Sequence, residues 1–195
     1  MRAAHLNRFL GIVFLFVPLF ADAHPGHAPA MNFWTGLAHP ILGWDHLLAM
    51  LAVGAWAAQA TGRRAWIAPT LFVGFLTIGA LFGMNGRTLP GIEQGIAASL
   101  LVLGLLLGWN GSTKAWPAYV LIGAFALFHG YAHGNEGAAS NALIPYFLGF
   151  ILATTVLHGA GFATGLTLAK LNRLAVQGAG LLLACTGSWL LLHAA

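Results

Sequence analysis

The chain has 195 residues, 59% of them hydrophobic and only 6% charged, with a formal net charge of +4 at neutral pH. Charges this sparse cannot solvate the surface of a water-soluble domain, so the composition points to an all-α, multi-pass membrane protein embedded in a lipid bilayer. The basic residues stand singly or as the pair Arg63-Arg64, which fits residues at membrane boundaries better than a nucleic-acid patch, so no nucleic-acid partner is expected.

At the N-terminus, Arg2 and Arg8 precede an apolar stretch from Phe9 to Phe20 that is too short to span comfortably. Ala21-Asp22-Ala23 follows with a small-x-small pattern, which predicts a signal peptide over residues 1–23; an uncleaved anchor helix is the alternative. Cleavage would make His24 the mature amino terminus. His24-Pro25-Gly26-His27 then offers two imidazoles and a free amine for metal capture, unless it is an ordinary polar tail.

Six apolar runs follow, over 36–59, 65–84, 92–109, 115–133, 143–168 and 174–193, each near the roughly 20 residues a bilayer requires. They predict a six-helix transmembrane domain over residues 24–195. Alternate loops hold Arg63, Arg64, Lys114, Lys170 and Arg173, whereas the opposite side of the mature chain holds only Arg87. The positive-inside bias then places both mature termini outward. Small-residue spacings at Gly79/Gly83, Gly104/Gly108, Gly130/Gly134 and Gly161/Gly165 predict close helix packing. Cys185 is the single cysteine, so no disulfide or thiolate metal site is available, and a packed interior position is expected for it.

Two segments place ionisable groups in this apolar setting. His39-Pro40-Ile41-Leu42-Gly43-Trp44-Asp45-His46 opens the first span, and ionisable side chains there are expensive enough to imply use. Seven residues are almost two turns, so His39 and His46 share one face of a continuous helix, with Asp45 about 100° away where it flanks the site or orients an imidazole. Pro40 belongs either to the first turn of the helix or to a kink that frees the Gly36 carbonyl. At the outer end of the fourth span, His129 and His133 have the i, i+4 spacing that lets two imidazoles share an ion. Glu136 joins their face if Gly134 does not end the helix. Both clusters reach similar depths from the same side, which predicts one joint cation site. His158, after Thr154-Thr155 in the fifth span, is either a deeper ligand, a proton-relay group or a histidine bonded to a neighbouring carbonyl. His193 is expected at an interface.

The stretch His39-Pro40…Gly43…Asp45-His46…Val53-Gly54 resembles the signature of the HupE/UreJ family of membrane proteins. His129-Gly130…Ala132-His133-Gly134…Glu136 resembles that family's second histidine motif. The resemblance covers essentially the whole chain and implies uptake of nickel, or in some members cobalt, for hydrogenase or urease maturation proteins. It implicates His39, Asp45, His46, His129, His133 and Glu136 as the metal-handling residues.

The residues themselves show only a nitrogen and oxygen donor set, which suits nickel, copper, zinc or iron and disfavours soft Cu(I). The expected activity is a secondary permease, not an enzyme, with Ni2+ or Co2+ as transported ligand and no prosthetic group. No nucleotide-binding loop is recognisable, and none is needed: 100 mV acting on a divalent ion supplies about twice 2.3 kcal/mol, over a thousandfold in equilibrium gradient. Two alternatives stand beside it. One is an intramembrane zinc-dependent hydrolase with Asp45 or Glu136 as general base. The other is a metal-binding membrane chaperone without flux.

Overall fold

The computed structural model describes residues 31–60, 62–109, 115–137 and 142–194; the expected signal peptide and His24 lie outside them. Regular structure among the described residues is entirely helical. In chain order the elements are α1 (Phe33–Leu42), α2 (Trp44–Ala57), a 3-10 turn (Gly62–Trp66) leading into α3 (Ile67–Gly83), α4 (Ile92–Gly108), α5 (Trp116–Glu136), α6 (Leu143–Leu171) and α7 (Arg173–His193).

The first expected span is not one continuous helix. Asn32 starts α1 with a reciprocal cap: its Oδ1 accepts from the amides of Trp34 and Thr35, and the Thr35 hydroxyl oxygen accepts from the Asn32 amide. Pro40 lacks the N–H that would pair with the Gly36 carbonyl, which weakens the last turn of α1. The chain then breaks at Gly43, which is extended (φ −79°, ψ 100°), and α2 leaves at 80° to α1. Glycine suits this corner because a Cβ there would lie only 3.2 Å from His46 Nδ1 and 3.3 Å from Asp45 Oδ1.

Helix α6 is the spine. Gly36 of α1 lies against the Tyr146 carbonyl and Gly149 of α6 against the Phe33 carbonyl, locking α1 to its first half. Further along, Gly54 of α2 faces the His158 carbonyl and Gly161 faces that of Leu51. A second pair, α3 and α5, interlocks the same way: Gly79 and Gly83 meet the Leu127 and Tyr131 carbonyls, and Gly130 and Gly134 meet those of Leu76 and Ala80. Lipid gives no hydrophobic drive for helix association, so backbone-to-backbone contact of this kind carries the packing. The third pair, α4 and α7, closes through Gly104, Gly180 and Gly187.

Met50, Val53, Phe72, Leu76, Leu100, Ile122 and Phe150 form the buried centre, while Leu81, Val156, Leu181 and Leu192 are exposed on outer faces. Apolar exposure on this scale suits a lipid surround, not water. Cys185 also lies on an exposed face, contrary to the expected interior position; the small side chains Ala184 and Gly187 take the packed face of α7 instead. Among the described residues three helices are long and apolar enough to cross a membrane, Gly62–Gly83, Leu143–Leu171 and Arg173–His193, and the bent α1–α2 pair makes a fourth if it is one span. Helix α4 has 17 residues, about 25 Å, which is short for a bilayer. Helix α5 is long enough, but His129, His133, Asn135 and Glu136 dilute the apolarity of its last turns.

Candidate metal centre

The bend at Gly43 carries the two expected clusters to the same place. Helix α5 runs through Gly134 to Glu136, so His129, His133 and Glu136 do share a face. Ring centroids of His39 and His133 are 4.6 Å apart, His133 and His46 4.6 Å, and His46 and His129 5.1 Å. His39 and His46 face each other across the corner at 5.8 Å, despite belonging to two differently directed helices. Imidazoles that bind one ion at about 2.0–2.1 Å per nitrogen have centroids roughly 5 Å apart, so the spacing is that of ligands. One ligand atom each from His39, His133 and Glu136 lie within 4.8 Å of one another.

Hydrogen bonds decide which nitrogen of each ring is available. His46 Nδ1–H donates to Asp45 Oδ1 at 2.8 Å, and the same oxygen accepts the His46 amide at 2.8 Å. His129 Nδ1–H donates to the Phe125 carbonyl at 2.9 Å, and His133 Nδ1–H donates to Glu136 Oε2 at 3.1 Å. Carbonyls and carboxylates only accept, so the proton of each neutral ring sits on Nδ1 and the lone pair on Nε2. The Nε2 atoms of His46, His129 and His133 are all buried and make no hydrogen bond among the described residues. Leaving three such atoms unpaired in an apolar interior is costly unless something else uses them. Asp45 therefore takes the orienting place that its position beside His46 allowed.

Aromatic side chains wall the site. Phe150 packs on His133 at 4.5 Å, and Tyr146 lies 5.9 Å from His39. On the far side Phe72 of α3 meets His129 at 5.7 Å and His158 at 5.2 Å. His158 is thus not in the main cluster but one ring beyond it. His193 is outside the cluster, exposed and stacked on Trp189 at 4.6 Å.

A cavity of about 1110 Å³ opens beside the centre, at the end of the bundle where α4 starts and α5 and α7 finish. Asp45, Glu93 and Glu136 all line it. The whole chain has only four acidic residues, so three quarters of its negative side chains line this one cavity, and two of them, Asp45 and Glu136, are hydrogen-bonded to His46 and His133 behind its wall. Such a vestibule concentrates cations. Glu93 was not singled out by sequence reasoning, although an acid in so apolar a chain is itself a signal. Phe72 offered none, being one of 13 phenylalanines.

The family model for HupE / UreJ protein matches residues 12–190 of this chain. The chain belongs to the HupE/UreJ family. Protein HupE of Rhizobium leguminosarum bv. viciae is 38% identical to it over 180 residues, covering 91% of this chain and 93% of that protein. No solved structure matches the chain. Both histidine segments of this HupE/UreJ chain lie inside the matched region.

Proposed function

We propose that this protein is a secondary permease that takes a divalent transition-metal ion, nickel foremost and cobalt as the second choice, into the cytoplasm for hydrogenase or urease maturation. The observation that carries the reading is the file His39–His133–His46–His129, in which the buried Nε2 atoms of His46, His129 and His133 lack a partner among the described residues while the Nδ1 atoms of the same three rings are anchored. Such a file exchanges hydration for imidazole nitrogen, and Asp45 and Glu136 offset the charge of the ion. Family membership supports a metal-handling membrane role, and the choice of nickel rests on the resemblance of the two motifs.

The proposed topology has six spans, with α1 and α2 as one broken span and α4 as a short one. A bent span fits a transport site, since irregular backbone at membrane depth is tolerated where it lines a buried polar site. Arg63, Arg64, Lys170 and Arg173 at one end of the bundle, against Arg87 at the other, support an outward-facing acidic vestibule in a bacterial inner membrane. His24, as mature amino terminus, would be a first capture group on that side. Reconstitution into liposomes with an inward-negative potential tests the reading, comparing Ni2+, Co2+ and Zn2+. Saturable Ni2+ or Co2+ accumulation is expected. Stoichiometric binding without flux would establish a chaperone instead, and metal-dependent amide hydrolysis by the pure protein would establish the hydrolase.

A further inference from the structure

Helix α6 has four threonines, and three of them behave as threonines in membrane helices ordinarily do. Thr155, Thr164 and Thr167 each donate the hydroxyl to the carbonyl four residues back, at 2.8–2.9 Å. Thr154 does not. It is fully buried, and its Oγ1 makes no hydrogen bond. One turn further on the same face, His158 is 3% exposed, and neither of its ring nitrogens has a partner. The ordinary use of a membrane histidine, a bond to a carbonyl on the next helix, is therefore not made here. Three polar atoms from two side chains on one helical face are buried in the interior with no partner among the described residues.

Their place in the fold gives this a direction. Phe72, fully buried, touches both His158 and His129 in T-shaped contacts, at 5.2 and 5.7 Å between ring centroids, and so bridges the two. The file of imidazoles thus ends at His129, meets one aromatic ring, and resumes at His158. Gly54 lets α2 come against the His158 carbonyl, so the backbone of this turn is held firmly.

We propose that His158 and Thr154 form a second, deeper station for the divalent metal ion, bridged by Phe72 to the four-histidine cluster. This rests on the permease reading. His158 supplies one imidazole nitrogen and Thr154 one hydroxyl oxygen, with water completing the coordination, so the station is weaker than the cluster above it. A weak second station suits release, because conduction requires sites that an ion leaves as well as sites it enters.

Equilibrium titration of the purified full-length protein with Ni2+ alone, followed by a competing chromophoric chelator, is the test, with the same preparations assayed for flux in liposomes. Wild type is expected to bind two ions with unequal affinity. His158→Ala should bind one, with the tighter affinity unchanged, and its flux should fall by about tenfold or more. Thr154→Val, which keeps shape and removes the hydroxyl, should weaken only the second site and guards against misfolding of the histidine variant. If wild type binds two ions and His158→Ala keeps both, or if wild type binds one and His158→Ala transports normally, the second station is wrong while the permease reading stands. Absence of any Ni2+ binding to wild type would instead overturn the permease reading on which it rests.

Discussion

Asp45→Asn separates orientation from ligation. In the structure a single Asp45 oxygen accepts both the His46 amide and the His46 ring N–H, at 2.8 Å each. Asparagine can present an oxygen to the same two donors, so the ring stays turned and the proton stays on Nδ1; the negative charge is lost. A hydrogen bond to a charged group contributes about 1.5–3 kcal/mol and a neutral one about 0.5–1.5. The substitution should therefore cost about 1–2 kcal/mol of metal binding, roughly 5–30-fold in Kd. That range overlaps the 10–100-fold typical of residues that orient a metal-bound histidine. Competition titration of the purified variant with Ni2+ reads this directly, and circular dichroism checks that the helices are retained. A change below about twofold would refute the idea that a charged partner raises the basicity of His46. A loss beyond about a thousandfold would mean that Asp45 binds the ion itself, and the assignment of its role from hydrogen bonding would be wrong.

Four further outcomes are expected. His39→Ala and His133→Ala should each weaken Ni2+ binding, and the double variant should lose little more than either, because ligands of one ion act as a unit; full additivity in the same titration would mean two separate sites. Ligation needs neutral imidazole, so wild-type affinity should fall on acidification once the rings take up protons, and each single histidine variant should show a shallower fall; equal slopes through that fall would show that these rings do not bind the metal. Gly130→Ala puts a methyl against the Leu76 carbonyl and should cost about 1–3 kcal/mol, seen as a lower melting temperature in detergent, whereas Gly159→Ala meets nothing within 4 Å and should be close to neutral. In a Cys185→Ser background, Arg87→Cys should react with an impermeant thiol reagent from outside and Arg63→Cys should not; reversed labelling would remove the proposed direction of uptake.

The sequence by itself determined the membrane class, the helical segments and the candidate metal ligands. Those follow from composition, from run length against bilayer thickness, and from the cost of burying His39, Asp45, His46, His129 and His133 in apolar helices. The i, i+4 pairing of His129 with His133 was also legible, since it depends only on helix geometry. Neighbouring helices were not. Spans in lipid are apolar on every side, so no amphipathic stripe tells which face turns inward; the glycine contacts that pair α3 with α5, and α6 with both halves of the broken span, decide that. The corner at Gly43 lies within one turn of Pro40, whose missing N–H points to a kink inside a single helix and not to a break beyond it. The tertiary packing instead bends the chain by 80° and still brings His39 opposite His46. Glu93 and Phe72 join the site only through that packing, because each is remote in sequence from both histidine segments. Spacing along one helix is a local property of the chain; the line His39–His133–His46–His129 crosses three helices, and only the way they pack could draw it.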